Sequence, residues 1–202
     1  MHPEILTKSQ QKLLLALKAF KKDFYLVGGT AIALHLGHRE SIDFDMFTFG
    51  SFDNTKLKRL IKRQMRMGRI VRDEYGNLTF FSLGVQITFF DYPYPIEANL
   101  EFEDYLRLPD LITLGAMKLL ALGHRAKWKD YLDLYFILEK YSLKTLLNKA
   151  KKIFGDEFNE RILREQLAYF DDIDWNEEVI FKEGFDVKPE VVKKKLIEHS
   201  LS

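Results

Sequence analysis

Between Phe24 and Phe47 the chain carries an arrangement that leaves few folds open to it. A short apolar run, Phe24-Tyr-Leu-Val, meets a double glycine, Gly28-Gly29, with Thr30 behind it; a segment of small apolar residues follows and ends at Gly37, and then comes Ile42-Asp-Phe-Asp-Met-Phe. The first run reads as a short buried strand. The second reads as a helix packed close against a sheet, with glycine in the usual C-terminal position. In the third, alternation puts Ile42, Phe44 and Met46 on one face of a strand and Asp43 and Asp45 on the other.

The rest of the chain divides by periodicity. Ser9 to Lys22 reads as an amphipathic helix and Thr55 to Met67 as another. Ile70 to Asp73, Leu78 to Leu83 and Val85 to Phe90 are strand candidates. Tyr75-Gly-Asn and Leu83-Gly supply turns between them, so an antiparallel meander is expected. Tyr92-Pro-Tyr-Pro ends the last strand, because proline cannot donate to a ladder. From Pro109 onward the pattern is helical: Leu111 to Leu122, Trp128 to Leu138, Leu143 to Phe154, Phe158 to Phe170 and Val187 to Leu196. Strands are expected only in the first half, so the fold class is α+β, a mixed sheet flanked by helices at 1–108 followed by a helical subdomain at 109–202.

Charge and composition narrow the chemistry. The 31 basic and 30 acidic residues nearly cancel, so any affinity for nucleic acid must come from local patches. Lys56 to Arg72 is such a patch, with eight basic residues and no acid, while Asp156 to Glu178 holds nine acids against Arg161 and Arg164. The basic run suits an RNA backbone, the β- and γ-phosphates of a nucleotide, or simply a solvated helix face. With no cysteine, disulfides, thiolate nucleophiles and the common structural zinc sites are excluded, and the five histidines lack metal-ligand spacing. No segment approaches the ~18 apolar residues of a membrane span, and the start lacks a signal peptide's apolar core. The reading is of a cytoplasmic protein with no membrane partner.

Twelve residues separate Thr30 from Asp43-Phe44-Asp45. Two aspartates at i and i+2 on a strand share a face, a spacing that suits a hard cation such as Mg²⁺. Without a cation between them, two like charges so close are costly. A glycine pair opening a helix offers backbone N–H groups and the positive end of the helix dipole to a phosphate, with the Thr30 hydroxyl as an extra donor. Neither a P-loop nor a dinucleotide fingerprint is present. The plain alternative, aspartates on the solvent face of a half-exposed strand, is weakened by the glycines and threonine upstream.

Residues 24–47, from Phe24-Tyr-Leu-Val-Gly-Gly-Thr to Ile42-Asp-Phe-Asp-Met-Phe, resemble the first motif of the AbiEii/AbiGii toxin family, relatives of polymerase-β-type nucleotidyltransferases. Residues 110–138, with Ala116-Met-Lys118, His124-Arg and Lys129-Asp-Tyr-Leu-Asp133-Leu, resemble that family's second motif. The resemblance implies a nucleotidyltransferase-like sheet and transfer of a nucleoside monophosphate from a nucleoside triphosphate to an acceptor. It also implies roles: Gly29 and Thr30 on the triphosphate, Asp43 and Asp45 on Mg²⁺, and Lys118, Lys129, Asp130 and Asp133 in the second motif, with Asp130 taken as catalytic. The helical subdomain is then expected to complete the nucleotide site. Implied partners are a nucleoside triphosphate, an RNA (tRNA-like) or protein acceptor and an antitoxin encoded nearby.

The residues themselves admit other roles. Lys118 lies in an apolar helix, so its cation either reaches water along its stem or meets an anion. Lys129 and Asp133 stand at i and i+4, which alone reads as an ordinary surface ion pair. Arg39, in the loop before the aspartates, is a candidate phosphate contact, and His38 beside it reads as a loop hydrogen bond. Tyr92, Tyr94, Phe89 and Phe90 suit packing more than base stacking, and Trp128 and Tyr131 read as core. One departure stands out: where polymerase-β-like enzymes carry a third carboxylate, the strand Val85-Gln-Ile-Thr-Phe-Phe-Asp91 has Thr88, and Asp91 falls on the other face. That leaves a nucleotide-binding module with impaired turnover, or an enzyme acting on a small molecule such as an antibiotic, as alternatives.

Overall fold

The computed structural model describes the whole chain except residues 174, 176 and 177. Two acids of the acidic stretch, Asp174 and Glu177, therefore lie outside the described residues. The chain forms two compact units, Met1–Asp110 and Leu111–Ser202. Among the described residues no helix is long and apolar enough to cross a membrane.

The first unit runs α1 (Lys8–Leu17), β1 (Tyr25–Val27), α2 (Gly28–Leu36), β2 (Phe44–Thr48), α3 (Asn54–Gln64), β3 (Ile70–Glu74), β4 (Asn77–Ser82), β5 (Val85–Asp91), β6 (Leu100–Phe102) and β7 (Leu106–Leu108). Thr7 opens α1 with a capping box closed by Gln10, and the Asp53 carboxylate caps α3 by accepting from Thr55 N and Lys56 N. β3, β4 and β5 form the expected meander. β5 then pairs in parallel with β2, and β1 closes the other edge antiparallel, giving a mixed sheet in the order β1-β2-β5-β4-β3.

Register sorts the side chains onto two faces. Phe44, Met46, Ile87, Phe89, Leu78 and Phe80 share one face and are fully buried. Each contributes about 1.5–3 kcal/mol by leaving water. Phe20 and Phe24 pack on Phe89 from that side, at ring-centroid distances of 5.1 and 4.9 Å. The other face carries one row across the sheet: Val27, Asp45, Thr88, Thr79 and Arg72 stand opposite one another in turn.

Sequence and structure differ at two places here. Ile42 is 52% exposed, and both it and Asp43, expected on the strand, precede it, because the chain extends into the ladder only at Phe44. The glycine pair opens α2 as read, with Gly28 at φ +71° as its first residue. The hairpin β6–β7 was not expected, its strands of three residues each being too short to show alternation.

The second unit is helical among its described residues: α4 (Leu111–Leu122), α5 (Trp128–Leu138), α6 (Leu143–Phe154), α7 (Glu160–Ala168) and α8 (Pro189–Ser200). α4 packs against α5 and α6, and α7 against α8. Gly115 makes the first contact possible: a Cβ there would stand 2.9 Å from Leu146 Cδ2 and 3.2 Å from Ile137 Cγ2. Trp128 and Tyr131 are buried, as expected, and the Tyr131 hydroxyl donates to the Tyr169 carbonyl at 3.1 Å while accepting from Gln166 Nε2 at 2.8 Å.

Candidate active site

The start of α2 and the start of β2 meet around Asp45. Val27 is the N-cap of α2 and gives no side-chain cap, so the dipole's positive end is not covered by the N-cap residue. Asp45 stands opposite Val27 on the neighbouring strand. Its Oδ2 lies so near Gly28 that a Cβ at that position would overlap it. Only glycine meets both conditions at residue 28, the positive φ and the carboxylate's approach.

A buried polar layer lies behind this turn and fixes it. Thr30, 2% exposed, donates its hydroxyl proton to the Asp43 carbonyl and stands 2.9 Å from Ser41 Oγ. Gln10 Nε2 donates to the Ser41 carbonyl at 2.7 Å. Arg39 is also 2% exposed; its Nη1 donates to the Glu40 carbonyl at 2.9 Å, and its Nη2 lies where a Cβ on Gly29 would be 2.6 Å away. Thr30 and Arg39, read from sequence as triphosphate contacts, are buried here, Thr30 holding the backbone of Asp43 and Arg39 that of Glu40. His38 beside them is fully buried.

Along the row next to Asp45 come Thr88 and then Thr79, whose hydroxyls are 3.3 Å apart. Thr88 thus holds the neighbouring-strand position where a third carboxylate was sought. Asp91 does not supply one: it stands opposite Thr48, three residues further along β5 and on the other face, and accepts from Gly50 N at 3.2 Å. No group of three or more His, Cys, Asp or Glu is placed to hold a metal among the described residues. The donors are Asp45 on β2 and Asp43 immediately before it, both half-buried. This fits Mg²⁺, which is bound through one or two carboxylates with water and substrate phosphates completing the shell.

The second motif folds into one buried network in the second unit. Lys118 on α4 is 6% exposed and pairs with Asp130 and, at 3.1 Å, with Asp133, both on α5. Arg125 adds Nε to Asp130 Oδ2 at 2.9 Å. Burial on its own raises the Asp130 carboxyl, but the charges of Lys118 and Arg125 and their hydrogen bonds outweigh it and hold Asp130 below the usual carboxylate range. Lys118 therefore meets anions in the protein itself. The plain reading of Asp133 as a surface residue is corrected: it is fully buried and pairs with Lys118 of α4, because α5 buries the face that carries it, while Lys129 is half-exposed. Arg125 stood in the second motif with no role assigned, for the loop between α4 and α5 gives no periodic signal to say what it faces; it faces Asp130.

The aromatic group divides as well. Phe89 belongs to the core, whereas Phe90, Tyr92 and Tyr94 are half-buried, with Phe47 among them on the Asp45 face at 5.2 Å from Phe90 and 5.1 Å from Tyr92.

Comparison with known proteins bears on this geometry. The family described as nucleotidyl transferase AbiEii toxin, type IV TA system, matches residues 12–187. An uncharacterised protein of Aquifex aeolicus is 35% identical over 156 residues, which cover 74% of this chain and 75% of the relative. Among solved structures, the nucleotidyltransferase toxin MenT4 of Mycobacterium tuberculosis superposes with a TM-score of 0.61 at 15% identity, over 95% of this chain and 80% of that one. JHP933 of Helicobacter pylori does so with a TM-score of 0.55 at 16% identity, over 97% and 92%. At these identities the likeness is one of fold, and the α+β fold is that of the nucleotidyltransferases.

Proposed function

The chain belongs to the nucleotidyl transferase AbiEii toxin family, and on that premise we propose that it moves a nucleoside monophosphate from a nucleoside triphosphate to a hydroxyl of an RNA or protein acceptor, as the toxin of a toxin–antitoxin or phage-defence pair. The observation that carries this reading is the Asp45 carboxylate at the uncapped start of α2, with Asp43 locked beside it through Thr30. The acceptor oxygen attacks the α-phosphorus, the bond to the β-phosphate bridging oxygen breaks, and pyrophosphate leaves while the hydroxyl proton passes to solvent or a base. Mg²⁺ on Asp43 and Asp45 supplies charge neutralisation at the reacting phosphate.

The chain's own residues do the rest. The first-turn amides of α2 at Gly28 and Gly29 bind phosphate oxygen, Thr30 holds Asp43 in place through its carbonyl, buried Arg39 stands behind Gly29, and the α2 dipole favours the polyanion. In the second unit, half-exposed Lys129 is assigned to the nucleotide. Lys118, Asp130 and Asp133, bound to one another, are assigned as positioning groups that keep α4 and α5 in register. Thr88 beside Asp45 favours a second reading, a nucleotide-binding module without turnover, because a neutral hydroxyl holds a second metal weakly.

One experiment separates the two. Total RNA and total protein are incubated with the purified chain and each of the four α-labelled triphosphates. Transfer predicts label in one fraction, dependent on Mg²⁺ and absent with Asp43→Ala; tight nucleotide binding with no labelled product identifies the binding module.

A further inference from the structure

Sequence left the basic run from Lys56 to Arg72 among a nucleotide's β- and γ-phosphates, an RNA backbone and a plain solvated helix face. The fold decides against the first. Lys58 on α3 pairs with Asp73 at 2.5 Å. Asp73 stands opposite Leu78, and Leu78 opposite Phe89, on the face of the sheet away from Asp45. Leu57 and Ile61 are buried beneath α3 on that same side. The helix thus lies behind the sheet and at its β3 edge. β3 is three strands from β2, about 14 Å at ~4.8 Å per strand. A triphosphate seated at Asp45 is out of its reach.

The run nevertheless forms one continuous surface. α3 and the segment leading into β3 enclose an open groove of about 450 Å³, with Lys58, Arg59 and Lys62 on one wall and Met67, Gly68 and Ile70 on the other. Arg59, Lys62, Arg63 and Arg66 are exposed and form no ion pair among the described residues. The cations continue around the edge strand onto the front. The Arg69 guanidinium lies 5.1 Å from the Phe81 ring centroid, and Arg72 ends the row that contains Asp45, Thr88 and Thr79. β3 is exposed along its whole length and carries a register shift between Ile70 and Arg72, so no further strand is invited to pair there.

We propose that this wrap-around surface, the α3 groove continued by Arg69 and Arg72, docks the phosphate backbone of a nucleic acid and leads it over the β3 edge to Asp45. Five of the eight basic residues are arginines, whose planar fork suits phosphate. A protein partner would look for an apolar, often aromatic centre depleted of lysine, and the groove offers only Met67 and Ile70. The inference deepens the transfer reading by naming the acceptor's class, and for that role it rests on that reading; docking itself needs no turnover.

The test measures binding of a labelled RNA hairpin with a single-stranded 3′ end, and of the DNA hairpin of the same sequence, across a salt series. The proteins are the intact chain and the double variant Arg59→Gln/Lys62→Gln. Each lost contact should reduce the salt slope by about 0.7 and weaken binding about fivefold near 0.1 M salt, so the double variant weakens binding about 25-fold. Binding is read with neither nucleotide nor Mg²⁺ present, so a transfer reading that fails for other reasons leaves this result standing. Equal loss on RNA and DNA, or loss on RNA alone, supports the proposal and names the source. An unchanged affinity and salt slope in the double variant overturns it, as does a polyglutamate peptide that binds where neither hairpin does. The circular dichroism of the double variant, whose changed side chains are solvent-exposed, verifies that it is folded.

Discussion

Gly28 is the residue at which the least can change. An alanine there must hold a left-handed φ and share space with Asp45 Oδ2. Gly28→Ala should destabilise the chain by about 1–3 kcal/mol, read as a shift in urea midpoint, and should lower transfer by more than that loss explains, since Asp45 has to turn away. Thr30 is a sharper probe of positioning. Thr30→Val removes the proton given to the Asp43 carbonyl, costing about 1–3 kcal/mol for a buried acceptor left without it, whereas Thr30→Ser should restore transfer and affinity for Mg²⁺ together. Asp45 and the glycines were legible in sequence because a strand running into a helix through glycine is a local signal; that Asp43 stands before the strand and not on it was not, since alternation does not show where the ladder begins. The inward turn of Thr30 and Arg39 was not legible, since whether a hydroxyl or guanidinium faces ligand or backbone depends on the loop's path in space.

At the scale of elements, β5 and the α4–α5 pair each allow a direct test. Thr88→Asp puts a carboxylate next to Asp45 in register, so apparent Mg²⁺ affinity, measured by metal titration, should rise if that row is where the metals bind. On α4, Lys118→Met leaves Asp130 and Asp133 buried without their common cation, and a loss of about 3–5 kcal/mol in urea denaturation is expected. Asp130 is held below the ordinary carboxylate range by Lys118 and Arg125, so its contribution is present above pH about 3.8 and lost as pH falls through its folded value. The long helices α4, α5 and α6 were legible from period alone, and the β3–β5 meander from alternation broken by glycine turns. Which face of the sheet α3 covers was not, because periodicity shows that Leu57 and Ile61 are buried and is silent on what buries them.

For the whole molecule, near-neutral total charge conceals a division of labour. Each unit is itself close to neutral, and within the first the run from Lys56 to Arg72 gathers eight basic residues around one sheet edge. The first unit also carries a pH dependence. His35 is half-buried, its pKa is lowered by the loss of solvent, and its Nε2–H donates to the Pro109 carbonyl at 2.9 Å. A base with a lowered folded pKa gives stability that is complete above its unfolded value of 6.5 and declines as pH falls below it, because the unfolded chain takes the proton more readily. His35→Gln, which keeps a donor and loses the titration, should flatten the fall in urea midpoint between about pH 7 and pH 5. The account's central claim is that Asp43 and Asp45 at the start of α2 carry Mg²⁺-dependent nucleotidyl transfer. Incorporation of α-labelled nucleotide by Asp45→Asn against the intact chain tests it most directly: the account predicts a fall of about 10²–10³-fold with folding intact, and transfer at the intact chain's rate would contradict it.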